Sequence, residues 1–216
     1  MAETAASPSS ATNHAEKNLA VRTSPALHLK EAFAAGSLAG TVELDELPFL
    51  TLVGVRADPG TETAERLASV TGGLPAASGE IRSNGETSVL WLGPAEFLVV
   101  APAEAHESLG GDLIQALQSA LADGEGQVVD LSANRTTFEL TGPRARAVLE
   151  KGCSLDLHPR EFKAGTAYST VIGNIPAILW KTGEESFRIL PRASFADFLG
   201  RWLLDAMREY ASAEVP

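Results

Sequence analysis

Two stretches of this chain read alike, and that likeness limits the fold more than any other feature. One runs "WLGPAEFLVVAPAEAHESLGGDLIQALQSAL" from Trp91, the other "WKTGEESFRILPRASFADFLGRWLLDAM" from Trp180. Phe97 falls on Phe187 and Pro102 near Pro191, and each stretch reads as strand, turn, strand and amphipathic helix. Upstream, "LVGVRADPGTETAERLASVTGGLP" and "FELTGPRARAVLEKGCSLDLHP" each read as a strand followed by a helix. The repetition predicts an α+β fold made of duplicated strand–helix–strand–strand–helix units. The first unit covers residues 19–132 and the second 133–216, packed together as one domain, after a flexible tail of residues 1–18.

Local signals place the elements. "FLTLVGV" (Phe49–Val55) is β-rich, and the helix after it ends at a Gly-Gly stop. Leu113, Leu117 and Leu121 share a helical face, with Asp112 as the expected cap and Gly124 as the expected stop. Pro143 suits a first helical turn and Gly152 a helix end. Turns are expected at Gly173-Asn174 and Thr182-Gly183. A long final helix turns Phe195, Leu199, Trp202, Leu203 and Met207 to one side, with Ser194 as its expected cap.

Composition narrows the function. With 28 acidic against 17 basic residues the formal charge is −11, which is unsuited to gripping nucleic acid and suited to a basic partner surface. Cys153 is the only cysteine, so no disulfide can close within the chain, which fits a reducing cytoplasm. The start, "MAETAASPSSATNHAEKN", lacks the basic and apolar regions of a secretory signal, and no apolar stretch nears the roughly 18 residues needed to span a bilayer. This segment is expected to be flexible alone and to order by lying along a partner.

The polar cluster in "VVDLSANRTTFELTGPRARAVLEKG" (Val128–Gly152) is the chief candidate site. Asp130, Ser132 and Arg135 would need His158 to make a catalytic set; the competing reading is a turn joining the two units. Arg144 and Arg146 sit in a helix's first turn without the Gly-rich spacing of a phosphate loop, so solvated helix charges are expected. His14, His28, His106 and His158 show no metal-ligand spacing, and the chain has no G-x-G-x-x-G dinucleotide fingerprint. Cys153 follows a helix C-terminus, the dipole end that does not activate a thiol. The residues alone therefore predict no catalytic, cofactor-binding or metal-binding site.

From Asp130 to Trp180 the chain resembles the folate-binding domain of the aminomethyltransferase (T-protein) superfamily, through an Asp-x-Ser start, "TGPRA" leading into a helix, "LDL", and strands around a Gly turn. "VLWLGPAEFLVV", "VDLSANRTTFELTGPRA", "LEKGCSLDLHPR" and "LPRASFADFLGRWLLDAM" resemble more closely the gamma-subunit family of heterotetrameric bacterial sarcosine oxidases. That resemblance implies a cytoplasmic complex with alpha, beta and delta partners. The complex would oxidise sarcosine to glycine and hydrogen peroxide, and pass the one-carbon unit to tetrahydrofolate or release it as formaldehyde. It also implies that FAD, FMN, NAD and zinc belong to the partners, with no cofactor, nucleic acid or membrane for this chain.

Where T-proteins carry an acidic pair after the Gly turn, this chain reads Gly173-Asn174-Ile175-Pro176-Ala177. The resemblance thus implies a noncatalytic assembly subunit, with Asp130, Asn134 and Arg135 as candidate subunit-interface residues. A free-standing folate-dependent one-carbon transferase and a folate-binding assembly factor are the alternatives. Lys151-Gly152-Cys153 matches only the first three residues of a motif found in folate-binding proteins linked to iron–sulfur maintenance.

Overall fold

The computed structural model describes residues 22–103 and 113–211. Its strands are β1 (Glu43–Glu46), β2 (Thr51–Arg56), β3 (Ile81–Asn84), β4 (Thr87–Gly93), β5 (Glu96–Ala101), β6 (Gln127–Asp130), β7 (Phe138–Thr141), β8 (Thr166–Ile172), β9 (Ile175–Gly183) and β10 (Ser186–Pro191). The helices are α1 (Lys30–Gly36), α2 (Glu62–Thr71), α3 (Leu113–Leu121), α4 (Ala145–Glu150) and α5 (Ala196–Ala211). Short 3-10 turns at Leu27–Leu29 and Ala193–Phe195 lead into α1 and α5. The strands form two five-stranded antiparallel sheets, ordered β3-β4-β5-β2-β6 and β1-β7-β10-β9-β8.

Strand alternation explains how the sheets stack. On one face of the first sheet, Val53, Val55, Val89, Phe97 and Val99 pack on Leu67 of α2 and on Leu113 and Leu117 of α3. On its other face, Leu52, Leu90, Leu98 and Val100 meet Ala167, Ile178, Trp180 and Leu190 of the second sheet. The second sheet's outer face, including Phe138, Leu140, Leu179, Phe187 and Ile189, is covered by α1, α4 and α5. The layers therefore run helix, sheet, sheet, helix, and both sheets are buried on two faces, which is why their central strands carry near-continuous apolar runs.

Several local expectations change in the folded chain. Residues from Ala26 to Glu46, assigned to the first unit by sequence, lie on the second sheet: β1 pairs with β7, and Leu29, Phe33, Val42 and Leu44 enter that sheet's helix-side core. The left-handed residue after α3 is Ala122 (φ 48°), with Gly124 two residues later. Ser194 lies inside the 3-10 turn ahead of α5, where it forms no cap. β9 continues through Gly183, so the turn expected at Thr182-Gly183 falls at Glu184-Glu185. Asp112 and the segment 1–18 lie outside the described residues.

Candidate functional site

The chain leaves β6 and enters β7 through Leu131–Thr137. Asp130 Oδ1 accepts the Ser132 amide at 2.9 Å, the side-chain turn that its residue type favours. Ser132 Oγ accepts the Leu52 amide at 3.1 Å and faces the Leu52 carbonyl at 3.4 Å, while the Leu131 amide donates to that carbonyl at 2.8 Å. Asn134 closes the turn by donating its amide to Leu131 O at 2.9 Å, and its carbonyl accepts the Ala193 amide at 2.8 Å. Ser132 thus fastens the joint to β2, and Asp130 shapes the turn that presents it.

No nucleophile–base pair is assembled here. His158 Nδ1 accepts the Arg160 amide at 3.2 Å, and the His158 amide donates to Asp156 Oδ1 at 2.9 Å. Its loop leads into Phe162, which is buried on the helix side of the second sheet. The other candidates also have structural partners. Arg144 lies over the Tyr210 ring at 5.7 Å, and Arg146 pairs with Glu150 at 3.5 Å. His28 Nε2 meets Asp197 Oδ1 at 2.7 Å. Among the described residues no His, Cys, Asp and Glu cluster could hold a metal ion. His14 and His106 lie outside the described residues.

The β8–β9 hairpin turns on Gly173 (φ 56°) and Asn174 (φ 68°), the two left-handed positions of a tight hairpin loop. Ile175 and Ala177 are buried, so the strand that leaves this turn presents apolar side chains and no carboxylate. An open groove of about 540 Å³ lies elsewhere, between α1 and β1, with Glu43, Asp45 and Glu139 along it. It contains none of Asp130, Asn134 or Arg135.

Arg135 differs from its neighbours in the joint. Its Nη1 donates to Leu190 O at 2.9 Å, and its backbone bridges to Arg192 in the register that pairs Phe138 with Ile189. Two arginines therefore stand opposite each other at the end of the β7–β10 ladder. Burial first, and then the adjacent Arg192 charge, hold the Arg135 guanidinium below its ordinary value. Sequence reasoning missed Arg192, since nothing near it in the chain foretells its register with Arg135.

With the geometry in hand, comparison with known proteins is decisive. The sequence profile of the "Sarcosine oxidase, gamma subunit family" matches residues 53–209. This chain belongs to that family. A sarcosine oxidase subunit gamma from Corynebacterium sp. (strain P-1) is 51% identical over 95% of this chain and 99% of its own length. One from an Arthrobacter species is 49% identical over the same shares. A chain of the heterotetrameric sarcosine oxidase from Corynebacterium sp. U-96, solved with pyrrole 2-carboxylate, superposes with TM-score 0.83. It is 49% identical, and the match covers 91% of this chain and all of that one.

An aminomethyltransferase T of the glycine cleavage system, from Bartonella henselae, shares the fold with TM-score 0.55 at 18% identity. That match covers 84% of this chain and 52% of the other. No helix among the described residues of this gamma-family chain is long and apolar enough to cross a membrane.

Proposed function

We propose that this chain is the gamma subunit of a heterotetrameric sarcosine oxidase and serves there as a noncatalytic assembly subunit. One observation carries the reading: at 49% identity, over 91% of its own length and all of the other's, the chain matches a chain of a solved heterotetrameric sarcosine oxidase. In this reading the alpha, beta and delta subunits hold FAD, FMN, NAD and zinc in the cytoplasm. They oxidise sarcosine to glycine and hydrogen peroxide, and pass the one-carbon unit to tetrahydrofolate as the 5,10-methylene form or release it as formaldehyde. The noncatalytic role is supported by the apolar strand after Gly173-Asn174 and by the structural use of Asp130 and Ser132.

The fold is, in this reading, a duplication. In each sheet three consecutive strands (β3, β4, β5 or β8, β9, β10) lie beside the strand that opens the unit (β2 or β7). The fifth strand, β6 or β1, then completes each sheet from outside that set.

Co-expression with the partner subunits tests the role. Leaving this chain out should prevent the other subunits from purifying together. Replacing Asp130 or Arg135 with Ala should lower subunit retention more than turnover per intact complex; lost turnover with full retention would mean that the joint serves the chemistry. The alternative, a folate-dependent transferase, draws on the fold likeness to aminomethyltransferase T. Tetrahydrofolate binding by the chain alone, followed by calorimetry, would favour it.

A further inference from the structure

On the face of the β7–β10 ladder turned toward the first sheet, cross-strand partners come in two kinds. Arg188 stands opposite Glu139 and pairs with it at 3.3 Å, while its guanidinium lies over the Trp180 ring at 5.2 Å. Further along the same ladder the corresponding partners are Arg192 and Arg135, two like charges directly opposed. Opposite charges across a ladder stabilise it, and like charges set opposite each other weaken it by a similar amount.

No ion pair within the described chain offsets this repulsion. The acidic residues outnumber the basic ones by 28 to 17, and many of the other cations find carboxylates, among them Arg66 with Glu62, Arg82 with Glu80, Lys151 with Glu209 and Arg201 with Asp197. Among the described residues neither Arg135 nor Arg192 makes an ion pair. Arg135 is half-buried with one nitrogen on a backbone carbonyl, and Arg192 is exposed beside the exposed Asn134. Surplus positive charge held in place on an acidic protein is complementary to an external carboxylate, which two guanidiniums can clasp through paired hydrogen bonds.

We infer that the Arg135–Arg192 pair is a docking point for a carboxylate carried by another subunit of the heterotetramer. This rests on the reading of the chain as an assembly subunit. The carboxylate would turn a repulsive pair into a bridged one, so the energetic cost within the free chain becomes attraction in the complex. The backbone bond from Ala193 to Asn134 holds the two arginines in register before the partner arrives.

The test uses the complete complex, co-expressed with a tag on a partner subunit. Arg192 has no partner to lose within the described chain, so Arg192→Glu leaves the fold intact, checked by the thermal unfolding of the variant. It should lower retention of this chain about tenfold or more, most clearly at low salt where the charge contact is least screened. Arg192→Lys, which keeps the charge and loses the planar fork, should fall between that variant and the unaltered chain.

Retention of Arg192→Glu equal to the unaltered chain at every salt concentration overturns the inference. If omitting the whole chain abolishes assembly while Arg192→Glu is fully retained, only the arginine docking point falls. If omitting the chain leaves an assembled, active set of partners, the assembly reading falls and takes the docking point with it.

Discussion

Gly79 shows how one residue can hold two sheets together. Its backbone is left-handed (φ 82°), and an added Cβ would stand 2.3 Å from the Tyr168 hydroxyl oxygen. Its carbonyl accepts the Ala167 amide at 3.2 Å, so the loop before β3 is bonded directly to β8 of the other sheet. Gly79→Ala should therefore lower stability by about 1–3 kcal/mol through strain and contact together, read as a fall in midpoint on chemical denaturation. Adding Tyr168→Ala should relieve the contact and leave the backbone strain. A smaller loss in the double variant than the single losses summed would show that coupling. At this scale the sequence revealed residue types more readily than pairings. Asp130 and Ser132 could be read as turn formers, whereas the opposition of Arg135 and Arg192 depends on which strands become neighbours.

Helices were legible where apolar spacing or Gly and Pro at their ends mark them, and short elements without those signals were not. α2 starts as its sequence suggests: Thr61 Oγ1 accepts the Ala64 amide at 3.2 Å, and Gly72 takes the left-handed position at its end. Thr61→Ala should cost about 1 kcal/mol, visible as a lower thermal midpoint with an unchanged far-ultraviolet spectrum. α1, β1 and β3 escaped the sequence reading because "KEAFAAG", "ELDE" and "IRSN" each hold a single large apolar residue, which sets up no period.

The Leu27–Leu29 turn is tied to α5 by Asp197, which accepts from His28 at 2.7 Å and Arg201 at 2.8 Å. The hydrogen bond from His28, then that from Arg201, hold the Asp197 carboxyl below its ordinary range. Its stabilising contribution is therefore fully present above the unfolded aspartate value of about 4 and is lost as pH falls through the lower folded value. Asp197→Asn should melt earlier than the unaltered chain at neutral pH, with the gap closing in strong acid. A gap that stays constant across that range would show that the carboxylate's charge is not what holds the turn.

At the scale of the molecule, the two sheets share an apolar layer, which should couple their unfolding. Leu98 is fully buried between them with Trp180 in the same cluster, while Trp91 packs on the outer side of the first sheet and Trp202 against the helix-side core of the second. Leu98→Ala should cost about 2–5 kcal/mol while circular dichroism and tryptophan fluorescence still report one coincident transition. Separate transitions would mean that each sheet melts alone. The central strands and the longer helices were legible because they keep their apolar runs and turn residues. The crossing of β1 to the second sheet was not, since "ELDE" carries no sign of which sheet it will join.

That crossing also bears on how the chain is made. β2 to β6 can close the first sheet as soon as Asp130 has emerged, yet β1, made before any of them, pairs only with β7. Synthesis at about 5–20 residues per second leaves Glu43–Glu46 waiting several seconds on the ribosome for Phe138–Thr141. Leu29, Phe33, Val42 and Leu44 wait with it, apolar and uncovered, until the second sheet arrives. These early-made residues are thus among the last to find their place, and that interval is when a nascent chain most needs shielding from its neighbours.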